Sequence, residues 1–146
     1  MNRIKLTLPE SFSFYMELPI RITDLNYGGH VGNDRFLSLI HEARFKFLAF
    51  YGYTELDFEG CGLIMADVAI EYKAELKYGH TVRIWVQSAD FDKLGFDLFY
   101  KLEIILASGN KIAAKAKTGM ICFDYQLQKK TSIPEAAIVK LHQLPS

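Results

Sequence analysis

Little in this chain points to a special environment. Only two of its 146 residues are cysteine, Cys61 and Cys122. They lie far apart and fit neither a disulfide framework nor a metal-ligand spacing, so the sequence predicts buried small hydrophobes or free thiols. Charge of one sign is lacking as well. Lys plus Arg and Asp plus Glu number 17 each, so there is no net field to draw in nucleic acid or an anionic membrane surface. No stretch reaches the ~18 apolar residues of a membrane span. The segment from Met1 to Ile20 has no basic region followed by an apolar run, because Pro9, Glu10 and Glu17 interrupt it; a cytoplasmic protein is expected. The histidines His30, His41, His80 and His142 have no tight ligand spacing, so no metal is expected. Gly28-Gly29 lacks the Lys-Ser/Thr of a phosphate loop, and there is neither a dinucleotide fingerprint nor a G-x-S-x-G elbow.

What is present suits one domain spanning residues 1–146. Half of the residues are hydrophobic, enough for a substantial core, and no repeat, linker or low-complexity segment divides the chain. Residues 12–22 read as a strand, with Pro19 marking an edge or an irregularity. From Asp34 to Tyr51, Phe36, Leu39, Ile40, Ala43, Phe47, Phe50 and Tyr51 recur at helical spacing, and Gly52 supplies a stop. The opposite face carries Ser38, His41 and Glu42 but also Phe45, flanked by Leu37 and Leu48, which predicts a helix buried at the centre.

After a loop around Thr54–Gly60 the period becomes two. Val68, Ile70 and Tyr72, then Val82, Ile84 and Val86, then Phe96 to Ile104 alternate with polar partners, and residues 111–123 continue less cleanly. Turn signals at Tyr78-Gly79, Asp92 to Gly95 and Ser108 to Asn110 separate them, so the four strands are expected to form an antiparallel meander. Ser132 to Glu135 introduces a brief closing helix or a frayed tail. The expectation is an α+β fold in which an antiparallel sheet of about five strands wraps one long central helix. Its bare sheet edges predict self-association.

The most informative stretch is Arg21 to Gly52. A Gly-rich turn with one Asp, two Asn and one His runs directly into the long helix. The first turn of a helix offers N–H groups without partners, and the macrodipole adds positive potential, so an oxygen gaining negative charge is stabilised there. Gly28 and Gly29 let a ligand approach the main chain, while Asn33 or Asp34 can cap the helix.

Asp24-Leu25-Asn26-Tyr27-Gly28-Gly29-His30-Val31-Gly32-Asn33, followed by Phe36 and Glu42-Ala43-Arg44, resembles the signature of hotdog-fold acyl-CoA thioesterases of the 4-hydroxybenzoyl-CoA thioesterase type, approximately D-x-D-x-x-G-H-V-x-N-x-x-Y. The resemblance spans nearly the whole chain. It implies hydrolysis of a fatty or aromatic acyl thioester of coenzyme A or acyl carrier protein, without a cofactor, by a homodimer or homotetramer. It places the acyl group beside the helix, with Tyr27, Gly28, Gly29 and Val31 shaping the loop that reaches the carbonyl. The Asn33 amide polarises that carbonyl, and the second Asp of the motif is the catalytic carboxylate in many relatives.

Here that position is Asn26, and an uncharged amide can orient water or a carbonyl but cannot act as a carboxylate base. Asp24 lies two residues earlier and in an extended segment faces the same side as Asn26; its alternative role is to hold the loop through backbone amides. His30 can serve as general base, histidine being the residue type suited to that role near neutral pH, or can simply pack in the loop. Glu42, deeper along the helix, is a second carboxylate candidate or part of a solvated face. The missing Asp also fits an acyl-CoA-binding protein that does not turn its ligand over, and His30 with Glu42 supply the residue types of another reaction of the same fold, dehydration of a 3-hydroxyacyl thioester, although the surrounding residues do not match the dehydratase motif. The aromatics Phe36, Phe47, Phe50, Phe96, Phe99 and Trp85 line either a tunnel or the core.

Overall fold

The computed structural model describes residues 1–144; Pro145 and Ser146 lie outside the described residues. The elements in chain order are β1 (Phe14–Pro19), a 3₁₀ turn (Ile22–Asp24), α1 (Arg35–Phe50), β2 (Gly62–Tyr72), β3 (Thr81–Ala89), β4 (Gly95–Ile104), β5 (Lys111–Asp124), the two-residue β6 (Lys129–Lys130) and α2 (Glu135–Leu141). All pairings are antiparallel, in the order β1-β3-β4-β5-β2, with β6 beside the end of β5. The α+β class and the sheet of five long strands match the sequence reading; β6 is an addition.

The meander holds only for β3, β4 and β5. β2 pairs with β5 instead of β3, because the other edge of β3 is taken by β1. The connection 73–80 therefore crosses one end of the sheet. It buries Leu76 completely and is tied down where the Lys73 and Ala74 amides donate to the Ala113 carbonyl. β2 also begins earlier than the alternation suggests. A bulge between Met65 and Asp67 shifts its register against β5, so the apolar residues before and after it fall out of one period.

β1 is shorter than expected. Pro19 ends it, and the chain turns through the 3₁₀ segment that contains Asp24.

α1 buries Phe36, Leu39, Ile40, Ala43, Arg44, Phe47 and Leu48 against the sheet. Its other side is not covered: Leu37 and Phe45 are exposed. The apolar positions around the helix thus mark one core-facing side and one bare side. Gly52 closes the helix at φ +82°, with its amide bonded to the Ala49 carbonyl. At the other end, Asp34 has helical dihedrals and makes no side-chain cap, so neither expected capping residue caps through its side chain.

Of the aromatics named above, Phe36, Phe47 and Phe96 are core, and Phe99 is buried. Trp85 lies half-buried on the outer face, against Phe12 and Tyr15. The segment before β1 crosses that face, fastened where the Leu6 amide donates to Glu71 and the Ser13 amide to Gln87. Cys61 and Cys122 are free and buried, brought together by the β2–β5 pairing, and burial is the main reason both thiols titrate above the usual range.

Candidate functional site

The loop 25–34 packs on the crossover connection. Val31 donates its amide to the Leu76 carbonyl, His30 forms a backbone bridge with Lys77, and Leu25 bridges Val31 across the turn. Within the turn, the Asn26 amide donates to the His30 carbonyl and the Gly29 amide to the Asn26 carbonyl. Gly29 has φ +82°, a conformation that favours glycine. Tyr27 is fully exposed, Gly28 and Gly29 are exposed, and Val31 is buried.

Asp24 and Asn26 do not share a side. Asp24 lies in the 3₁₀ turn, not in an extended strand, and only 1% of its side chain is exposed. One carboxylate oxygen accepts the Arg21 amide at 2.8 Å; the other lies 3.4 Å from the Arg21 guanidinium and 3.9 Å from Arg35. It is fully engaged in holding the entry to the loop. Asn26, by contrast, is exposed. Its side-chain oxygen accepts the Gly28 amide at 2.9 Å, which aims the NH₂ group toward Gly32 and the helix mouth.

His30 is half-buried. Its Nδ1 donates to the Val31 carbonyl at 3.3 Å, because a carbonyl can only accept, and this leaves the Nε2 lone pair free. Nε2 lies 4.0 Å from Glu75. A proton taken up there would face a carboxylate.

At the helix mouth, the Asn33 and Asp34 amides have no hydrogen-bond partner among the described residues, and both residues are exposed. The Asn33 carbonyl accepts the Tyr72 hydroxyl at 2.9 Å. Burial, and then the Asp34 carboxylate, raise the Tyr72 pKa, so that hydroxyl remains a donor. Two free amides on a positive helix end form a cradle for an oxygen that gains charge.

Glu42 stands apart from this turn. It borders a cavity of about 470 Å³ between β1 and α1, with Met16, Leu18, Leu39, Ser38 and Arg35. Asp24 reaches the same cavity, so the structure joins Asp24 with Glu42 there, and Asn26 with His30 and the free amides on the loop.

Two groups have contacts to which the sequence reading assigned no role. Glu75, the neighbour of His30, sits in the crossover connection, where no periodicity marks it. Beneath α1, the buried Arg44 donates to Glu55 at 2.6 Å, and the Tyr100 hydroxyl shares a hydrogen bond with Thr118 at 2.8 Å. Arg44 was legible as the one charged residue at a core position of the helix, one turn from Ile40 and Leu48. Among the described residues no group of three or more His, Cys, Asp or Glu could hold a metal ion.

The family model of the thioesterase-like superfamily matches residues 20–141. No curated protein matches the chain in sequence. Among solved structures, a mutant 4-hydroxybenzoyl CoA thioesterase complexed with 4-hydroxybenzoyl CoA is 12% identical, with a TM-score of 0.79 over 88% of this chain and 97% of that one. A thioesterase complexed with coenzyme A and Zn from Thermus thermophilus is 20% identical, with a TM-score of 0.80 over 93% and 96%. A 1,4-dihydroxy-2-naphthoyl-CoA thioesterase from Synechocystis is 19% identical, with a TM-score of 0.75 over 90% and 96%.

Proposed function

The chain belongs to the thioesterase-like superfamily, and from that membership we propose that it hydrolyses an acyl thioester to a free acid and a thiol. The observation that carries the reading is the pair of unpartnered amides of Asn33 and Asp34 beside the Asn26 side chain. The thioester carbonyl oxygen sits against these amides, which stabilise the oxyanion as water adds. Asn26 orients the water or the carbonyl through its NH₂ group. His30 takes the proton of the attacking water at Nε2, the nitrogen that Glu75 also faces, and returns it to the departing thiolate. Asp24 holds the loop and takes no proton, since its carboxylate is enclosed and already bonded. Glu42 is the alternative carboxylate. The acyl group lies in the cavity between β1 and α1, and the carrier is coenzyme A or acyl carrier protein. A second copy covers the bare side of α1 and the free edge of β2, where Leu37, Met65, Val68 and Tyr72 are exposed.

The test is thiol release from short, medium, long and aromatic acyl-CoAs. His30→Ala should lower kcat by about 10²-fold or more, while Glu42→Gln should change it little. A fully active His30→Ala enzyme would remove His30 as base. Asn26 favours one second reading, a protein that binds acyl-CoA without cleaving it. A wild type that is inert while Asn26→Asp gains turnover would establish that reading instead.

A further inference from the structure

The two amides at the helix mouth belong to two peptide groups, and each group carries a carbonyl on its far side. The peptide is planar and trans, so a bond accepted by that carbonyl fixes the direction of the N–H and strengthens it as a donor. The Asn33 amide shares its peptide with the Gly32 carbonyl, which accepts the Arg35 amide at 3.0 Å. The backbone itself supplies that bond as the chain turns into α1. The Asp34 amide shares its peptide with the Asn33 carbonyl, and there the helix supplies nothing. A regular first turn would send the Leu37 amide to Asn33, four residues back. Here Leu37 donates to the Asp34 carbonyl instead, at 3.2 Å, and among the described residues no backbone amide reaches the Asn33 carbonyl.

The bond comes from β2. Tyr72, the last residue of that strand and 39 positions further along the chain, donates its hydroxyl to the Asn33 carbonyl at 2.9 Å. No other side chain among the described residues donates to either carbonyl. Tyr72 is 48% exposed, so enclosure alone does not hold its hydroxyl in place. Its ring stands edge-on to the buried Phe36, with centroids 5.1 Å apart and planes at 88°. Its backbone is paired with Ala114 in the β2–β5 ladder. The sheet therefore aims the phenol, and the first turn of α1 packs against the ring that bonds its own leading carbonyl. Partial burial and the nearby Asp34 carboxylate both raise the Tyr72 pKa, so the hydroxyl keeps its proton and goes on donating.

We propose that Tyr72 is a positioning residue of the oxyanion cradle: its hydroxyl orients and polarises the Asn33–Asp34 peptide group, so that the Asp34 amide meets the thioester oxygen as a fixed and strengthened donor. The inference rests on the thioester reading and adds to it a residue from the sheet, outside the loop and helix that carry the rest of the site. Tyr72 gives up no proton and acts on the substrate only through that peptide. The benefit grows as the oxygen gains charge, so it falls on the transition state more than on the bound substrate. Removing a whole cradle donor costs about 10²–10³-fold in kcat. Losing Tyr72 leaves the donor in place but weaker and less well aimed, so the cost should be smaller, about tenfold.

Tyr72→Phe removes the hydroxyl and keeps the ring against Phe36. In thiol release from the acyl-CoA that wild type cleaves best, the variant should lose about tenfold in kcat while KM stays within about twofold. Proton–nitrogen NMR spectra of the ligand-free proteins give a second readout. The Asp34 amide nitrogen should move upfield in the variant, whereas the Asn33 nitrogen, whose peptide keeps its carbonyl bond, should stay. A merely structural role would move both amides together and raise KM along with the fall in kcat. Wild-type kcat in the variant, a loss confined to KM, or an unmoved Asp34 signal would overturn the proposal. Should Tyr72→Phe fail to fold, the crystal structure of wild type with a ketone analogue of an acyl-CoA, CH₂ in place of sulfur, decides. A ketone oxygen at the Asp34 amide with the Tyr72 bond to Asn33 intact supports the proposal. A Tyr72 hydroxyl turned onto the ligand or into solvent overturns it. The spectra need no substrate, which separates the two claims. A wild type that cleaves no thioester removes the thioesterase reading alone, and the Asp34 shift then decides the positioning by itself.

Discussion

Replacing Arg44 by Met removes a guanidinium from beneath α1 while keeping most of its apolar stem. The Arg44 side chain is 8% exposed and that of its partner Glu55 is 30% exposed, with 2.6 Å between them. Burial works against the Arg44 charge, yet Tyr100 and Glu55 hold its pKa above the usual value. Loss of one partner from an enclosed pair costs about 3–5 kcal/mol. Glu55 can turn partly to water, so the lower range for a charge-assisted hydrogen bond applies, about 1.5–3 kcal/mol. For a chain of this size each kcal/mol moves Tm by roughly 2–4 °C, so the variant should melt about 5–10 °C lower by circular dichroism. Adding Glu55→Gln removes the stranded carboxylate, and the double variant should lose less than the two single losses together, with a coupling of about 1–2 kcal/mol. A single variant melting within a degree or two of wild type, or a strictly additive pair, would refute the account of Arg44 as the pin between α1 and the loop before β2.

Other outcomes can be checked directly. A Cβ at Gly95 would run into the backbone carbonyl of Met120, whereas one at Gly62 meets only the exposed ring of Tyr125; urea denaturation should show Gly95→Ala losing about 2 kcal/mol or more and Gly62→Ala much less. Burial raises the Asp97 pKa, and Lys117 only partly offsets it. The folded state then binds that proton more tightly than the unfolded chain, so stability held at lower pH falls as pH rises from the ordinary carboxylate value through the raised one. Asp97→Asn should lack that decline and melt higher at neutral pH by calorimetry. With both thiols buried and pushed upward, a disulfide reagent at about pH 8 should label neither Cys61 nor Cys122 in the folded protein and both in denaturant.

Alternation carried the sequence reading where strands have one buried face. The inward series Val82, Ile84 and Val86 and its partners on β4 appear as read. It failed at β2, where the bulge between Met65 and Asp67 breaks the phase and where the neighbour is chosen by the rest of the sheet, not by chain order. The helix was legible in its extent, but its apolar circumference could not tell a surrounded helix from one with a bare side. In the loop, spacing alone placed Asp24 beside Asn26. Pro19 and the 3₁₀ turn rotate them apart, a local backbone choice that residue types do not announce. Glu75 entered only through a crossover that brings residues 30 and 77 together.

The strand pairings also set a timetable for synthesis. Phe14 on β1 pairs with Val86, and Leu63 on β2 pairs with Cys122. A chain emerging from its N-terminus therefore releases β1 and α1 long before β3 exists, and β2 long before β5. A nascent chain stalled before β5 would carry an orphan strand and an unroofed helix, the kind of surface that chaperones hold. Slow codons placed after β5 would do no harm, whereas slow codons between α1 and β3 would lengthen the exposed interval.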